Sequence, residues 1–391
     1  MLNALVKSIR KPAKLALITM TALSLAACGN NNNDSSSGTG GEETQEVTNI
    51  TLYTGGSLNV QTFWETLLPK FEDANPDVDV ELVFLPSGQG GQSTMDRLVA
   101  AKKANKDSGV NLYEGSLGDI IRGEEEGDIF EELDESMIPN LKNVDESNLE
   151  GASGVAVPYR ASAVVLAYNS ETVEDVPDTD DELYDWIRNH PGRFAYNDPS
   201  TGGSGSSFVL TTVYNQLPPE AMNSQDPSIM EQWDAGFQIL KDLGPYMYNE
   251  GVYPRKNQGT LDLLTNGEVD MIPAWSDMAL EQLNKDLLPD TIKLKQIDPA
   301  FTGGPAYLLM PTTEDENERE AAAKLLDYVL TPEAQEIVIN TIYGYPGIKW
   351  DLLPSELQQE FESVSGGYRS FNGGSLSGEV TKRWQSEIAG Q

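Results

Sequence analysis

GVAVPYRASAVVLAYN, residues Gly154–Asn169, is apolar, β-branched and small from Val155 to Ala167, with one Pro and one Arg inside. Asn169-Ser170-Glu171 closes the run. The pattern predicts two short strands in succession, Gly154–Pro158 and about Ser162–Tyr168. A continuous apolar strand is buried on both faces, as in a sheet covered by helices. Strand and helix patterns alternate on both sides of it, so it is expected to cross between two α/β lobes. Arg160 then stands at the edge of the cleft between them. The plain alternative is an ordinary core strand of one large domain.

Working outward, Val47–Tyr53 reads as a strand, followed by Thr54-Gly55-Gly56-Ser57. A helix is expected over about Gln61–Ala74, with Phe63, Trp64, Leu67, Leu68 and Phe71 on one face. Val78–Leu85 alternates as a second strand. Ser87–Gln92 reads as a loop and Ser93–Asn105 as a helix with Met95, Leu98 and Val99 inward. This strand–helix alternation signals an α/β lobe with a largely parallel sheet. Val110–Tyr113 is a short strand leading into Glu114–Asp119, and Glu124–Glu126 a solvated helix face.

Beyond the central run, Thr179–Asn189 is a helix and His190–Tyr196 a turn and strand. Asn197–Ser207 is a Gly/Ser-rich loop before a helix from Phe208. Ile229–Leu243 and Thr260–Asn266 are helices, the latter stopped by Gly267. Val269–Ala274 is a strand running into Trp275-Ser276-Asp277. Gly303–Met310 is a second buried run, expected to return the chain to the first lobe. Glu318–Leu330 and Pro332–Asn340 are helices, the second capped by Thr331. Gly366–Gly378 is loop-like, with a short helix beyond.

The 391 residues exceed one ordinary core. Formal net charge is −36, and about −40 once the basic leader is removed. Such a charge argues against nucleic acid as a partner and favours solubility and, gently, cationic solutes. There is one Cys, Cys28, and one His, His190. Neither an intrachain disulfide nor a usual Cys/His zinc site can form. No metal or cofactor is expected.

Lys7, Arg10, Lys11 and Lys14 precede an apolar segment, Leu15–Ala27, too short to span a bilayer comfortably and suited to a signal peptide. It ends Leu25-Ala26-Ala27-Cys28-Gly29, which resembles the lipobox of bacterial lipoproteins. That resemblance implies cleavage before Cys28 and diacylation of its thiol. Gly29–Glu46 is low in complexity and reads as a flexible tether.

Ligands bind at loops after strands, at the carboxyl edge of an α/β sheet. The candidate binding residues are therefore Thr54, Gly56, Ser57, Ser116, Arg160, Ser204, Gly205, Ser206, Trp275, Asp277, Tyr307 and Tyr345. The 201–207 loop precedes a helix, where backbone N–H groups and hydroxyls favour an anion; a plain N-cap loop is the alternative. Arg160 needs a partner, either a protein carboxylate or a ligand. Trp275 and Asp277 could hold a cationic centre, or serve as core and helix cap. No catalytic residues are expected: there is no P-loop, no Gly-x-Ser-x-Gly elbow and no complete EF-hand loop. A carboxylate pair among 62 acids has no diagnostic weight.

Together these features resemble family 1 of the extracellular solute-binding lipoproteins of ABC importers. The resemblance rests on the lipobox, the Gly55-Gly56-Ser57 loop, and Val157-Pro-Tyr through Val165-Leu-Ala-Tyr-Asn169. It continues through Gly267-Glu-Val-Asp-Met271, Trp275-Ser-Asp277, Gly304-Pro-Ala-Tyr307 and Leu330-Thr-Pro-Glu-Ala-Gln335. It implies a two-lobed periplasmic-binding-protein fold, with mixed sheets flanked by helices and joined by crossover strands. The stretch 190–196 resembles a branch near thiamine, phosphonate, polyamine and ferric-iron binders. Expected domains are a signal peptide (1–27), lipidated Cys and tether (28–46), lobe 1 (47–158), lobe 2 (159–302), and a return crossover with C-terminal helices packing mainly on lobe 1 (303–391). The expected role is a lipid-anchored, monomeric, non-enzymatic receptor that hands a small charged organic solute to a membrane permease. Thiamine-like compounds, phosphonates and polyamines are the solute classes in view. The rivals are an oligosaccharide receptor and a surface glycan hydrolase.

Overall fold

The computed structural model describes residues 47–86, 94–127, 129–149, 151–361 and 367–389. The signal peptide, Cys28, the tether and the Ser87–Gln92 loop lie outside the described residues.

The chain opens with β1 (Thr48–Gly56), α1 (Leu58–Ala74), β2 (Val78–Pro86), α2 (Thr94–Ala104), β3 (Leu112–Gly115), α3 (Leu117–Glu125) and the single turn α4 (Glu146–Leu149). β1 pairs in parallel with β2 on one side and β3 on the other. The expected apolar face of α1 is buried in full: Phe63, Trp64, Leu67, Leu68 and Phe71 are at most 5% exposed. Each such side chain contributes about 1.5–3 kcal/mol by leaving water, which pins α1 to the sheet.

The central run is one strand, not two. β4 spans Ala156–Asn169. Pro158 and Arg160, which punctuate the apolar pattern, mark a register irregularity instead of an end. At such a bulge the strand bends and twists while the ladder continues. The rest follows as α5 (Asp180–Asn189), α6 (Gly203–Tyr214), α7 (Asp234–Leu243), α8 (Lys256–Thr265), β5 (Met271–Trp275), α9 (Ser276–Asn284), β6 (Ile292–Lys295) and β7 (Gly303–Leu309). The chain ends with α10 (Glu316–Val329), α11 (Pro332–Ile337), β8 (Tyr345–Pro346), α12 (Ser355–Glu360) and α13 (Leu376–Glu387).

Strand order is β2-β1-β3-β7-β4-β5, with β6 and β8 also on β4. The first half of β4, Ala156–Ala163, pairs antiparallel with β7. Its second half, from Val164, pairs with β5 and β6. One strand thus belongs to two sheets. Its side chains divide between two cores, by face and not by half of the strand. Val157, Ala161 and Val165 pack in the core beneath α1 and α10, whereas Val164 and Leu166 pack in a second core with α5, α6 and α13.

Three other expectations are corrected. His190–Tyr196 contains no strand; Phe194 makes only an isolated bridge to Met271. The expected helix 229–243 breaks at Trp233, with a 3-10 turn, Pro227–Gln232, before α7. α6 begins at Gly203, inside the stretch expected to be loop. Bulk is excluded there: a Cβ on Gly205 would lie 1.9 Å from the Asn197 carbonyl oxygen. β6 was not expected, although Ile292-Lys293-Leu294-Lys295 alternates apolar and charged and buries its apolar side.

Candidate functional site

The register sets Gly115, at the carboxyl end of β3, level with Pro158 and beside the end of β1, and β4 runs on past this edge, around which many of the candidate residues lie. β1 ends at Gly56, whose φ of +129° is a conformation that side chains rarely adopt. Ser57 precedes α1 and donates to Asn59 Oδ1. Asn59, itself buried, donates to the Ile342 carbonyl at 3.0 Å. Ser57 is therefore held by the fold. Ser116 forms a capping box with Asp119, accepting from its N–H at 3.3 Å and donating to its carboxylate at 2.8 Å. That is a structural cap.

Arg160 already has a partner. Its Nη2 lies 2.5 Å from Glu114 Oε1, with the two side chains only 13% and 9% exposed. Its Nε donates to the Tyr159 hydroxyl at 2.8 Å. Burial disfavours the cation, but Tyr159, Glu114 and Asp277 outweigh it and raise the Arg160 pKa. Of the two readings of Arg160, the protein carboxylate is the one present. Glu114 was not singled out in the sequence, because nothing local distinguishes it among so many acids.

The next outward residue of β4, Ser162, reaches the other sheet. Its hydroxyl donates to Asp277 Oδ1 at 2.8 Å, in the first turn of α9. Asp277 is buried, and burial pushes its carboxyl above the usual range; Arg160 and the Ser162 bond offset this only in part. Ser276 beside it hydrogen-bonds Tyr345, whose phenol is pushed up by burial. Arg160, Asp277 and Tyr345 thus form one connected group. Trp275 stands apart from it, against α6: a Cβ on Gly203 would meet its Cζ2 at 2.8 Å.

The start of α6 is largely satisfied from within. Asn197 Oδ1 accepts from the Ser204 hydroxyl at 2.7 Å and the Gly205 N–H at 2.8 Å. Asn257 Oδ1 takes the Ser204 N–H at 3.1 Å. The Ser206 N–H goes to the Gly202 carbonyl. Side-chain amides therefore occupy the donors that an anion would use. Tyr307 lies in register with Gly115 and Pro158, on the sheet face opposite Glu114, where it packs with Met95, Ile120 and Leu309. It does not join the Arg160 group.

Among the described residues, Thr54 Oγ1 and Glu114 Oε2 at this edge are buried without a hydrogen-bond partner, as is the indole N–H of Trp64 on α1. A cavity of about 610 Å³ adjoins the group on the side of β8, lined by Ala161, Tyr345, Trp350, Phe361, Tyr368 and Asp145, among others. Solute sites commonly fall in this size range.

His190 stacks on Trp186 at 4.4 Å and its Nδ1 contacts the Trp186 carbonyl at 2.8 Å. Among the described residues, no group of three or more His, Cys, Asp or Glu side chains could hold a metal ion. Nor is any helix there long and apolar enough to cross a membrane.

The fold is shared with solved transport proteins. An ABC transporter structure from Clostridium perfringens is 18% identical with a TM-score of 0.65, covering 87% of this chain and 98% of that one. The spermidine/putrescine ABC transporter substrate-binding protein of Streptococcus pneumoniae is 16% identical, TM-score 0.64, covering 87% and 99%. Maltose-bound MalE3 of T. maritima is 16% identical, TM-score 0.66, covering 87% and 95%. At these identities the likeness is one of fold. No curated protein matches the chain. The sequence itself matches the family described as bacterial extracellular solute-binding protein over residues 66–359, from within α1 to within α12. With that match spanning well over half of its length, the chain belongs to the bacterial extracellular solute-binding protein family.

Proposed function

We propose that this chain is the substrate-binding lipoprotein of an ABC importer. In this reading Cys28 carries the lipid, residues 29–46 tether the body to the outer face of the membrane, and the protein acts as a monomer without catalysis. Residues 47–158 and 159–302 form two lobes that close on a small charged organic solute. Residues 303–391 return to the first lobe, and the loaded protein delivers its solute to a membrane permease.

The observation that carries this reading is β4. A single strand joins both sheets and presents Arg160 and Ser162 to carboxylates on either side of the junction, Glu114 and Asp277. A strand shared by two bodies, with polar groups gathered where they meet, suits hinged closure on a ligand. Asp277 and Tyr345 supply anionic and aromatic groups there, with Trp275 to one side against α6. The solved relatives of this fold include proteins named for polyamines and one holding maltose, so fold alone does not choose the solute. The chemistry of the junction favours a charged organic molecule.

The test is thermal unfolding of residues 29–391 against thiamine and its phosphates, aminophosphonates, polyamines, ferric ion and sugars. A ligand at about 100 times its Kd adds roughly 2.7 kcal/mol, enough to raise Tm by a few degrees. A shift with one class supports the receptor reading. No shift with any of them, in protein free of co-purified solute, would count against it.

A further inference from the structure

Thr54 and Glu114 are neighbours. They stand at the carboxyl ends of the parallel strands β1 and β3, and the register that sets Tyr53 against Tyr113 brings Thr54 beside Glu114. Alternation along each strand puts both on the face of Leu52 and Leu112. Thr54 is 3% exposed and the Glu114 side chain 9%. Thr54 Oγ1 and Glu114 Oε2 are each buried without a partner among the described residues. Buried polar atoms are nearly always hydrogen-bonded, and a carboxylate oxygen is among the costliest to leave bare.

The rest of the carboxylate is committed. Glu114 Oε1 takes the Arg160 guanidinium, and Tyr159 hydrogen-bonds the same group. Arg160 is in turn fixed by Tyr159. One side of Glu114 is thus locked in place, while Oε2 on the other side has no partner among the described residues and stands beside Thr54 Oγ1. Asp277 is a further carboxylate facing the same guanidinium. The Trp64 indole, a donor only, has no part in holding a cation.

We propose that Glu114 Oε2 and Thr54 Oγ1 form the subsite for a protonated amine of the solute, whose N–H donors they accept. This rests on the receptor reading above and names its solute class. A phosphate or carboxylate placed there would meet the Glu114 charge with one of its own sign. A primary or secondary ammonium supplies donors and opposite charge together. A quaternary ammonium supplies charge without donors and is expected to bind more weakly.

The test is calorimetric titration of residues 29–391 with putrescine, spermidine, 2-aminoethylphosphonate, choline, maltose and inorganic phosphate, with native mass spectrometry of the protein as purified. At least one compound with an N–H-bearing ammonium should bind, and better than choline. Glu114→Gln should weaken it about 10- to 100-fold. Because that variant also disturbs Arg160, Thr54→Val is the cleaner probe. It keeps shape and the ion pair, and should weaken the amine about tenfold without lowering the ligand-free Tm. Amine binding unaffected by both variants would overturn the proposal and leave an internal water as the occupant. Binding only of maltose or phosphate, or a co-purified solute lacking basic nitrogen, would overturn it while the receptor reading stands. No binding by any compound and no co-purified solute would count against both.

Discussion

Ser162 and Asp277 are joined by a 2.8 Å hydrogen bond from the serine hydroxyl to the carboxylate Oδ1, which ties the shared strand to the first turn of α9. The bond lies within an enclosed site, so the carboxylate it serves is both oriented and desolvated.

That burial sets a pH dependence. The folded-state pKa of Asp277 is raised, first by desolvation. An acid raised on folding costs no stability below its unfolded value, and the cost is complete above its folded value. Asp277→Asn keeps an oxygen for Ser162 and carries no charge. Its ligand-free Tm should exceed that of the wild type at neutral pH, by about 1–2 °C for each kcal/mol relieved. The gap should close as pH falls toward the usual carboxylate range. Paired melts from pH 3 to 8 check this, and a gap that widens on acidification would contradict it.

Arg160→Met should destabilise the body by about 3–5 kcal/mol, because it strands the Glu114 carboxylate in a buried site. Adding Glu114→Gln should recover part of the loss, since no lone charge then remains. Urea unfolding of the single and double variants measures both steps. If the pair were dispensable, Arg160→Met alone would melt like the wild type.

Asn197→Ala should cost about 1–3 kcal/mol. It removes the acceptor shared by the Ser204 hydroxyl and the Gly205 N–H. With those donors freed, α6 would gain the anion-binding character that its sequence suggests. Titration of the variant with phosphate should therefore show weak binding that the wild type lacks at that helix.

Cys28→Ser should abolish incorporation of labelled palmitate and shift the protein from the membrane fraction to the soluble one. An unchanged distribution on fractionation would refute the anchor.

Much of the fold was legible where one face of an element decides its place. The apolar stripe of α1, the alternation of β2 and the cap at Thr331, which accepts from the Ala334 N–H, are all local patterns. β4 was legible as a crossing but not as one strand, because Pro and Arg are ordinarily breaks, and only the partners β7 and β8 make a bulge of them. α6 was mislocated since Gly and Ser read as loop. The need for small residues there comes from Asn197 and Trp275, which pack against them from elsewhere in the chain. In the site, the requirement that Arg160 find a partner follows from its apolar surroundings. The identity of that partner does not, because Glu114 is brought to it by the β3–β7–β4 order alone.

That order also governs when the protein can fold. β7 lies between β3 and β4, pairing Glu114 with Leu308 and Val157 with Leu308 in turn. Until residues 303–309 have been made, β3 and β4 each present a bare edge, and such edges invite pairing with other chains. Distant partners of this kind close slowly. A nascent or truncated chain lacking its final third would have every strand of the first α/β layout and still be unable to complete its sheet.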